Sequence, residues 1–212
     1  MANPQKGHKW FAAYWDRMVK LEPRGMQELR DHTVSGLSGA VLEIGAGNGA
    51  NFHRFPDAIV HLAATEPDPY MIERARARAT ELDRPVEVLQ APAEELPFED
   101  ASFDAVVSIL VLCSVGDQGR ALNEIKRVLK PGGLLRFIEH IRYAGALGGT
   151  YQALLAPVWR WLGAGCNPNR QTADAITDAG FTIAEVHRFK LAPPIPPFSL
   201  TRPALFGTAI KP

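Results

Sequence analysis

The chain has 212 residues, of which 46% are hydrophobic and 22% charged. Those proportions belong to a folded globular protein and exclude a disordered or fibrous chain. The length suffices for one substantial domain around a single core. Lys+Arg 23 balances Asp+Glu 23, so no excess positive charge offers a nucleic-acid backbone a partner. Two cysteines, Cys113 and Cys166, lie far apart and show no metal-ligand spacing. A reduced, cytoplasmic chain without a metal is the expectation. The opening "MANPQKGHKWFAAYWDRM" has no continuous apolar segment of the signal-peptide kind. No apolar run nears the roughly 20 residues of a membrane span, which leaves only peripheral membrane contact open.

The predicted elements alternate along the chain. "HKWFAAYWDRMVKLE" places Trp10, Phe11, Tyr14 and Trp15 at helical spacing. "AVLEI" is a short strand running into glycines, followed by a helical turn that Pro56 stops. "AIVHLAAT" is a second strand and ends at Glu66. Asp68 then caps a helix with Pro69 at its first position. Met71, Ile72, Ala75, Ala79 and Leu82 form the apolar face of that helix, and Arg74, Arg76 and Arg78 its solvated side. "VEVLQ", "FDAVVSIL" and "LLRFIEH" are strands three to five. Before the fifth, "QGRALNEIKRVLKPGG" reads as a helix that Pro131-Gly132-Gly133 stops. Alternation of this kind indicates a parallel sheet covered on both faces. "FTIAEVHRF" and "ALFGTAI" are two last strands. The prolines of "KLAPPIPPFSLTRP" between them disfavour a helix, so the two should pair antiparallel at one edge.

The loop "VLEIGAGNGANF" brings backbone close to something. "GAGNGA" fits the permissive dinucleotide pattern, with Glu66 about 20 residues on. Against a nicotinamide cofactor, the chain has no second catalytic domain and no Tyr followed four positions later by Lys. No Gly-Lys-Ser/Thr follows the glycines, which excludes a Walker phosphate loop. S-adenosylmethionine suits the spacing better. Glu43 precedes Gly45 by two, giving E-x-G-x-G-x-G at a strand end, where an acid can orient the loop or accept from the cofactor ammonium. Gly45, Gly47 and Gly49 would admit the amino-acid part of the cofactor without a Cβ clash. Glu66 can accept from both ribose hydroxyls, Pro67 can pack on the adenine, and Ala93-Glu94 can read its edge.

"VLEIGAGNG", "EPDPYM", "PAEELPFEDASFDAVVS" and "ALNEIKRVLKPGGLLRFIEH" resemble the successive motifs of class I S-adenosylmethionine-dependent methyltransferases. The resemblance covers roughly residues 10 to 210. It implies a doubly wound, seven-stranded Rossmann-like sheet of order 3-2-1-4-5-7-6 with the last strand antiparallel. It also places Ala46 and Ser108 at the cofactor. One domain is expected, with a helical lid over about residues 8–35, a cofactor core over about 38–142, and a substrate-side insertion with an edge hairpin over about 143–212. "LVLCSV", "IEH" and "PVWRWLGAGCNPNRQT" more narrowly resemble the methyltransferase-like thiol methyltransferases. That branch is membrane-anchored in animals and methylates alkyl thiols, whereas this chain opens without an apolar anchor.

The resemblance implies methyl transfer to a small, apolar acceptor, with a thiol as first choice. N- or O-methylation of a phospholipid or small metabolite is the alternative, and a non-catalytic cofactor-binding module a more distant one. A thiol needs little help, since a few per cent is thiolate at neutral pH. An alcohol needs a base, and His140 at the end of strand five is the candidate; its alternative role is structural. Tyr14 and Trp15 of the first helix are candidates for the acceptor side, either as a lid or as simple core packing. Cys113, after strand four, is expected to border the cleft.

Overall fold

The computed structural model describes residues 7–191 and 197–212. Residues 1–6, part of the opening read as free of a signal segment, and 192–196, part of the proline-rich connection read as non-helical, lie outside it. Helices α1 (Lys9–Lys20) and α2 (Arg24–Val34) come first. There follow β1 (Gly39–Ile44), β2 (Ile59–Thr65), α3 (Pro69–Ala79), β3 (Val86–Leu89), β4 (Phe103–Ile109), α4 (Gln118–Val128) and β5 (Leu129–His140). The chain ends with α5 (Ala146–Leu162), α6 (Thr172–Asp178), β6 (Thr182–Lys190) and β7 (Pro203–Ile210).

The seven strands form one sheet of order β3-β2-β1-β4-β5-β7-β6. The first five are parallel, and β7 runs antiparallel to both β5 and β6. This is the doubly wound sheet that the motifs imply. Strands buried on both faces read as unbroken apolar runs rather than alternating ones. Leu42, Val106 and Leu135 pack with Leu122 and Ile125 of α4 and Ile176 of α6 on one face. Val41, Val107 and Ile138 pack with Met26 and Val34 of α2 and Ala75 of α3 on the other.

Local chemistry explains most boundaries. The Asp68 carboxylate accepts from the backbone N–H of Tyr70 (2.8 Å) and Met71 (3.1 Å), with Pro69 at the first helical position. Such a cap is worth about 1 kcal/mol. The other oxygen of Asp68 accepts from the His8 N–H at 2.7 Å, which docks the start of α1 on α3.

Three expectations are corrected. Helix α4 stops at Val128, not at Pro131-Gly132-Gly133. Leu129 already pairs with Phe103, and the ladder skips ahead to Ala105 with Leu134, so the Pro-Gly-Gly segment is a bulge inside β5. Arg78 does not belong to a solvated face, because its guanidinium binds Asp16 of α1 at 2.8 Å. Helices α5 and α6 occupy the insertion, where no element was identified. Gly148, Gly149 and Pro157 lie inside α5 and weaken its helical signal. Gly149 is buried there with the Arg142 guanidinium where a Cβ would stand. Among the described residues, no helix is long and apolar enough to cross a membrane.

Candidate active site

The glycine loop leaves β1 at the carboxyl edge of the parallel strands. Gly45, Gly47 and Gly49 all adopt left-handed φ, at 54°, 59° and 75°. Glycine is the residue that accepts such angles without strain. Their surroundings differ. A Cβ on Gly45 would lie 2.6 Å from Val111, and one on Gly49 would lie 2.7 Å from Phe52. A Cβ on Gly47 would meet only the Trp15 indole nitrogen, at 3.6 Å. Gly45 and Gly49 therefore serve internal packing, whereas a Cβ on Gly47 would make only ordinary contact with the Trp15 ring. Gly47→Val is expected to leave a folded protein that no longer binds S-adenosylhomocysteine, because a branched side chain would occupy cofactor space and resists φ near 59°. Gly45→Val is expected to lose the fold itself. Calorimetric titration with thermal melts checks both, and retained binding by folded Gly47→Val would contradict the assignment of this loop.

Helix α1 is hooked to the loop from above. Asp16 accepts from the Asn48 side-chain amide (2.8 Å) and from Arg78 (2.8 Å), and pairs with Lys20 at 3.2 Å. Trp15 is thereby held over Gly47, while Tyr14 is 41% exposed on the same helix.

Two buried carboxylates flank the loop. Glu43, on β1, accepts from the Asn51 side-chain amide, and the Asn51 carbonyl accepts from Arg30 at 2.9 Å. Arg30 is itself clamped by both oxygens of Glu22, at 2.8 and 2.9 Å. The second oxygen of Glu43 is buried without a hydrogen-bond partner. Burial pushes the Glu43 carboxyl up to about 7, against the Asn51 bond and the Arg30 charge. Glu66, at the end of β2, accepts from the N–H of Gly47 and of Asp68, each at 2.8 Å. Burial pushes it too up to about 7, against those two amides. An unsatisfied carboxylate oxygen beside such a loop is what a cofactor bearing an ammonium and a ribose would complete.

Both carboxyls hold their protons more tightly folded than unfolded, where their ordinary value is 4.5. Their contribution to the stability of the ligand-free protein is therefore full below about 4.5 and is lost as pH rises through about 7. A bound cation favours the ionised form. Cofactor binding is thus expected to release protons below about pH 7 and to tighten as pH rises toward it. Titrating S-adenosylhomocysteine in two buffers of different ionisation enthalpy, at about pH 6 and 7.5, measures the release. Affinity that is flat over that range, without proton release, would contradict it.

The other expected residues are distributed unevenly. Ala46 is buried, with its N–H on the Thr65 carbonyl at 2.9 Å, and Ala93 is buried in the core. Pro67 is half-buried at the start of the turn into α3. Glu94 is half-buried. Its carboxylate accepts from the N–H of Gly116 (2.7 Å) and Asp117 (3.1 Å) and ties down the loop after β4. Ser108 is fully buried and donates to Glu139 at 2.8 Å.

Glu139 went unrecognised in "IEH". It is fully buried and also accepts from the N–H of Val111, Leu112 and Cys113 at 2.9–3.0 Å. Those bonds fold the β4 loop back over the sheet just after Leu110, a non-glycine residue with φ 61°. Beyond it, Cys113 is also fully buried.

The fold also gathers three groups that lie far apart in the sequence. Cys113 Sγ, Cys166 Sγ and His140 Nδ1 all lie within 4.8 Å of one another. These atoms come from the β4 loop, the α5–α6 loop and the end of β5, so no sequence spacing advertises them. The Asn167 N–H donates to the Cys113 carbonyl at 2.8 Å, and Arg170 donates to the carbonyls of Leu112 and Val115. Hydrogen bonding to Cys166, together with burial, pushes the Cys113 thiol up, while the same bond draws Cys166 down toward thiolate. His140 is half-buried beside them.

A sheet of this order, a left-handed glycine loop after β1 and paired acids at the ends of β1 and β2 define an S-adenosylmethionine-dependent methyltransferase of class I. A methyltransferase-domain family model matches residues 42–137. Thiol S-methyltransferase TMT1A of Homo sapiens is 33% identical over an alignment covering 96% of this chain and 86% of that protein. Thiol S-methyltransferase TMT1B of Homo sapiens is 32% identical, over 84% and 75% respectively. The chain belongs to the thiol S-methyltransferase family within that class. Among solved structures, the N-methyltransferase NodS of Bradyrhizobium japonicum, in complex with S-adenosyl-L-homocysteine, superposes with a TM-score of 0.66. It is 20% identical and covers 89% of this chain and 86% of its own, so the likeness is one of fold.

Proposed function

We propose that this methyltransferase acts on the sulfur of a small apolar thiol. The observation that carries this is the set of sulfur and imidazole groups drawn from the β4 loop, the end of β5 and the α5–α6 loop, in part from the same β4 loop whose Val111 packs on Gly45. The relatives named as thiol S-methyltransferases support it. A thiol needs no strong base, whereas an alcohol does. An apolar acceptor is favoured by α5, on which Leu147, Leu154, Val158 and Trp161 are 59–90% exposed. Such a stripe suits acceptors that partition into lipid, and peripheral contact of α5 with a membrane belongs to the same proposal.

In this proposal Glu43 holds the cofactor ammonium, Glu66 holds the ribose, and the Gly47 backbone gives the amino-acid part room. Pro67 and Ala93 border the adenine. Glu94 and Ser108 act at one remove, by fixing the β4 loop. Trp15 and Tyr14 close the acceptor side. S-adenosylmethionine, when bound, supplies an electrophilic methyl on a sulfonium. The residues of the chain align the acceptor in line with it and exclude water. His140 is the candidate to take a proton from an acceptor.

A panel of alkyl thiols, phenols and amines of matched hydrophobicity tests this. Thiols are expected to turn over, with a rate that rises with pH and breaks at a pH that moves with thiol acidity. Turnover confined to amines or phenols would leave the methyltransferase assignment standing and remove the thiol.

A further inference from the structure

Three donor atoms meet where the mechanism so far uses at most one. Cys113 Sγ and Cys166 Sγ are 3.8 Å apart, and His140 Nδ1 is 3.6 Å from the first and 3.5 Å from the second. Zinc binds thiolate at about 2.3 Å and imidazole at about 2.0–2.1 Å, in tetrahedral geometry. Those lengths require ligand atoms about 3.8 Å apart for two sulfurs and about 3.5–3.6 Å apart for sulfur and nitrogen. The triangle in this protein has those edges already.

We propose that Cys113, His140 and Cys166 bind one zinc ion, and that its fourth position takes the sulfur of the acceptor. The second half rests on the thiol reading above; the first does not. Two soft sulfurs and an imidazole are a donor set for zinc rather than for calcium or magnesium. The ligands are held in place without the ion: Glu139 fixes the Cys113 N–H at 2.9 Å, and Asn167 fixes the Cys113 carbonyl at 2.8 Å. Three protein ligands are the number that leaves a position open for chemistry. The two cysteines are 0% and 7% exposed, and His140 is half-buried beside them.

A thiol that coordinates the ion gives its proton to solvent and stays bound as thiolate. Its sulfur lone pair forms the new S–C bond. The methyl–sulfonium bond breaks with its electron pair left on the departing thioether. The product, a neutral thioether, is a weaker ligand than thiolate and leaves. Coordination predicts a pH–rate break below the pKa of the free thiol.

The test uses the full chain, prepared reduced and loaded with zinc or cobalt. The expected result is one zinc per chain by elemental analysis. The cobalt form should show sulfur-to-metal charge transfer and intense tetrahedral visible bands, and an alkyl thiol, not the matching alcohol, should shift those bands. Cys166→Ser should weaken zinc binding by more than about 100-fold, beyond the 10–100-fold typical of a lost outer partner. Its circular dichroism and binding of S-adenosylhomocysteine should be kept, which separates loss of a ligand from loss of fold. A reduced, folded protein that takes up no zinc, or one whose two sulfurs pair as a disulfide in the presence of zinc, would overturn the site. Full-rate thiol methylation by metal-free protein would overturn the role of the ion and leave the thiol reading intact. Tetrahedral cobalt bands that no thiol perturbs would overturn coordination of the acceptor alone.

Discussion

Glu66→Ala is expected to weaken S-adenosylhomocysteine binding by about 10²–10⁴-fold. Two hydrogen bonds from ribose hydroxyls to a carboxylate are worth roughly 1.5–3 kcal/mol each, which together spans that range. The loss has a second source in the protein itself. The same carboxylate holds the N–H of Gly47 and of Asp68, so its removal frees both the loop and the start of α3. Glu66→Gln keeps one carbonyl oxygen and should lose less. Isothermal titration of the three proteins settles the ranking, and unchanged affinity in Glu66→Ala would remove this residue from the site.

Glu139→Ala should be the most destabilising single change at the strand ends. Four donors converge on this carboxylate: the Ser108 hydroxyl and the N–H groups of Val111, Leu112 and Cys113. The hydroxyl can turn elsewhere, but the three backbone groups cannot. An orphaned buried donor costs about 1–3 kcal/mol, so the two buried ones, the N–H groups of Leu112 and Cys113, total roughly 2–6 kcal/mol. For a chain of this size each kcal/mol shifts Tm by about 2–4 °C, giving a drop of roughly 4–24 °C. Glu139→Gln, which keeps one acceptor oxygen, should fall between. Scanning calorimetry on the three proteins measures it, and a drop of less than about 2 °C in Glu139→Ala would show that the loop finds other partners.

The two residues differ in how visible they are in the sequence. Glu66 stands at the end of an apolar run, ahead of an Asp-Pro helix start and about 20 residues past a glycine loop. Each of those signals is local, and together they mark the carboxyl edge of a parallel sheet. The antiparallel pairing of the last two strands was legible for the same reason, because consecutive apolar runs and their connections carry it, whereas the sheet order came from the resemblance to class I methyltransferases. Glu139 sits inside a strand among apolar neighbours, and its partners lie 26–31 residues upstream. Such contacts exist only after β4 and β5 pair. The relay from Glu22 through Arg30 and Asn51 to Glu43 is hidden likewise, since it joins α2 to β1 across the glycine loop. The α4–β5 boundary misled through a local signal that tertiary pairing overrode: Pro131-Gly132-Gly133 looks like a helix stop and is a strand bulge. Cys113, His140 and Cys166 were each noticed singly, and only the fold brings the three together.

The most direct test of the central claim offers both acceptor atoms to the enzyme in one molecule. A hydroxyphenyl-alkyl thiol presents a phenol and an apolar thiol with the same hydrophobicity and the same route of entry. With S-adenosylmethionine in excess, near neutral pH, the product is resolved by mass spectrometry and proton NMR. Methylation at sulfur, giving the thioether with the phenol intact, is the predicted result. An O-methyl ether with a free thiol would contradict it.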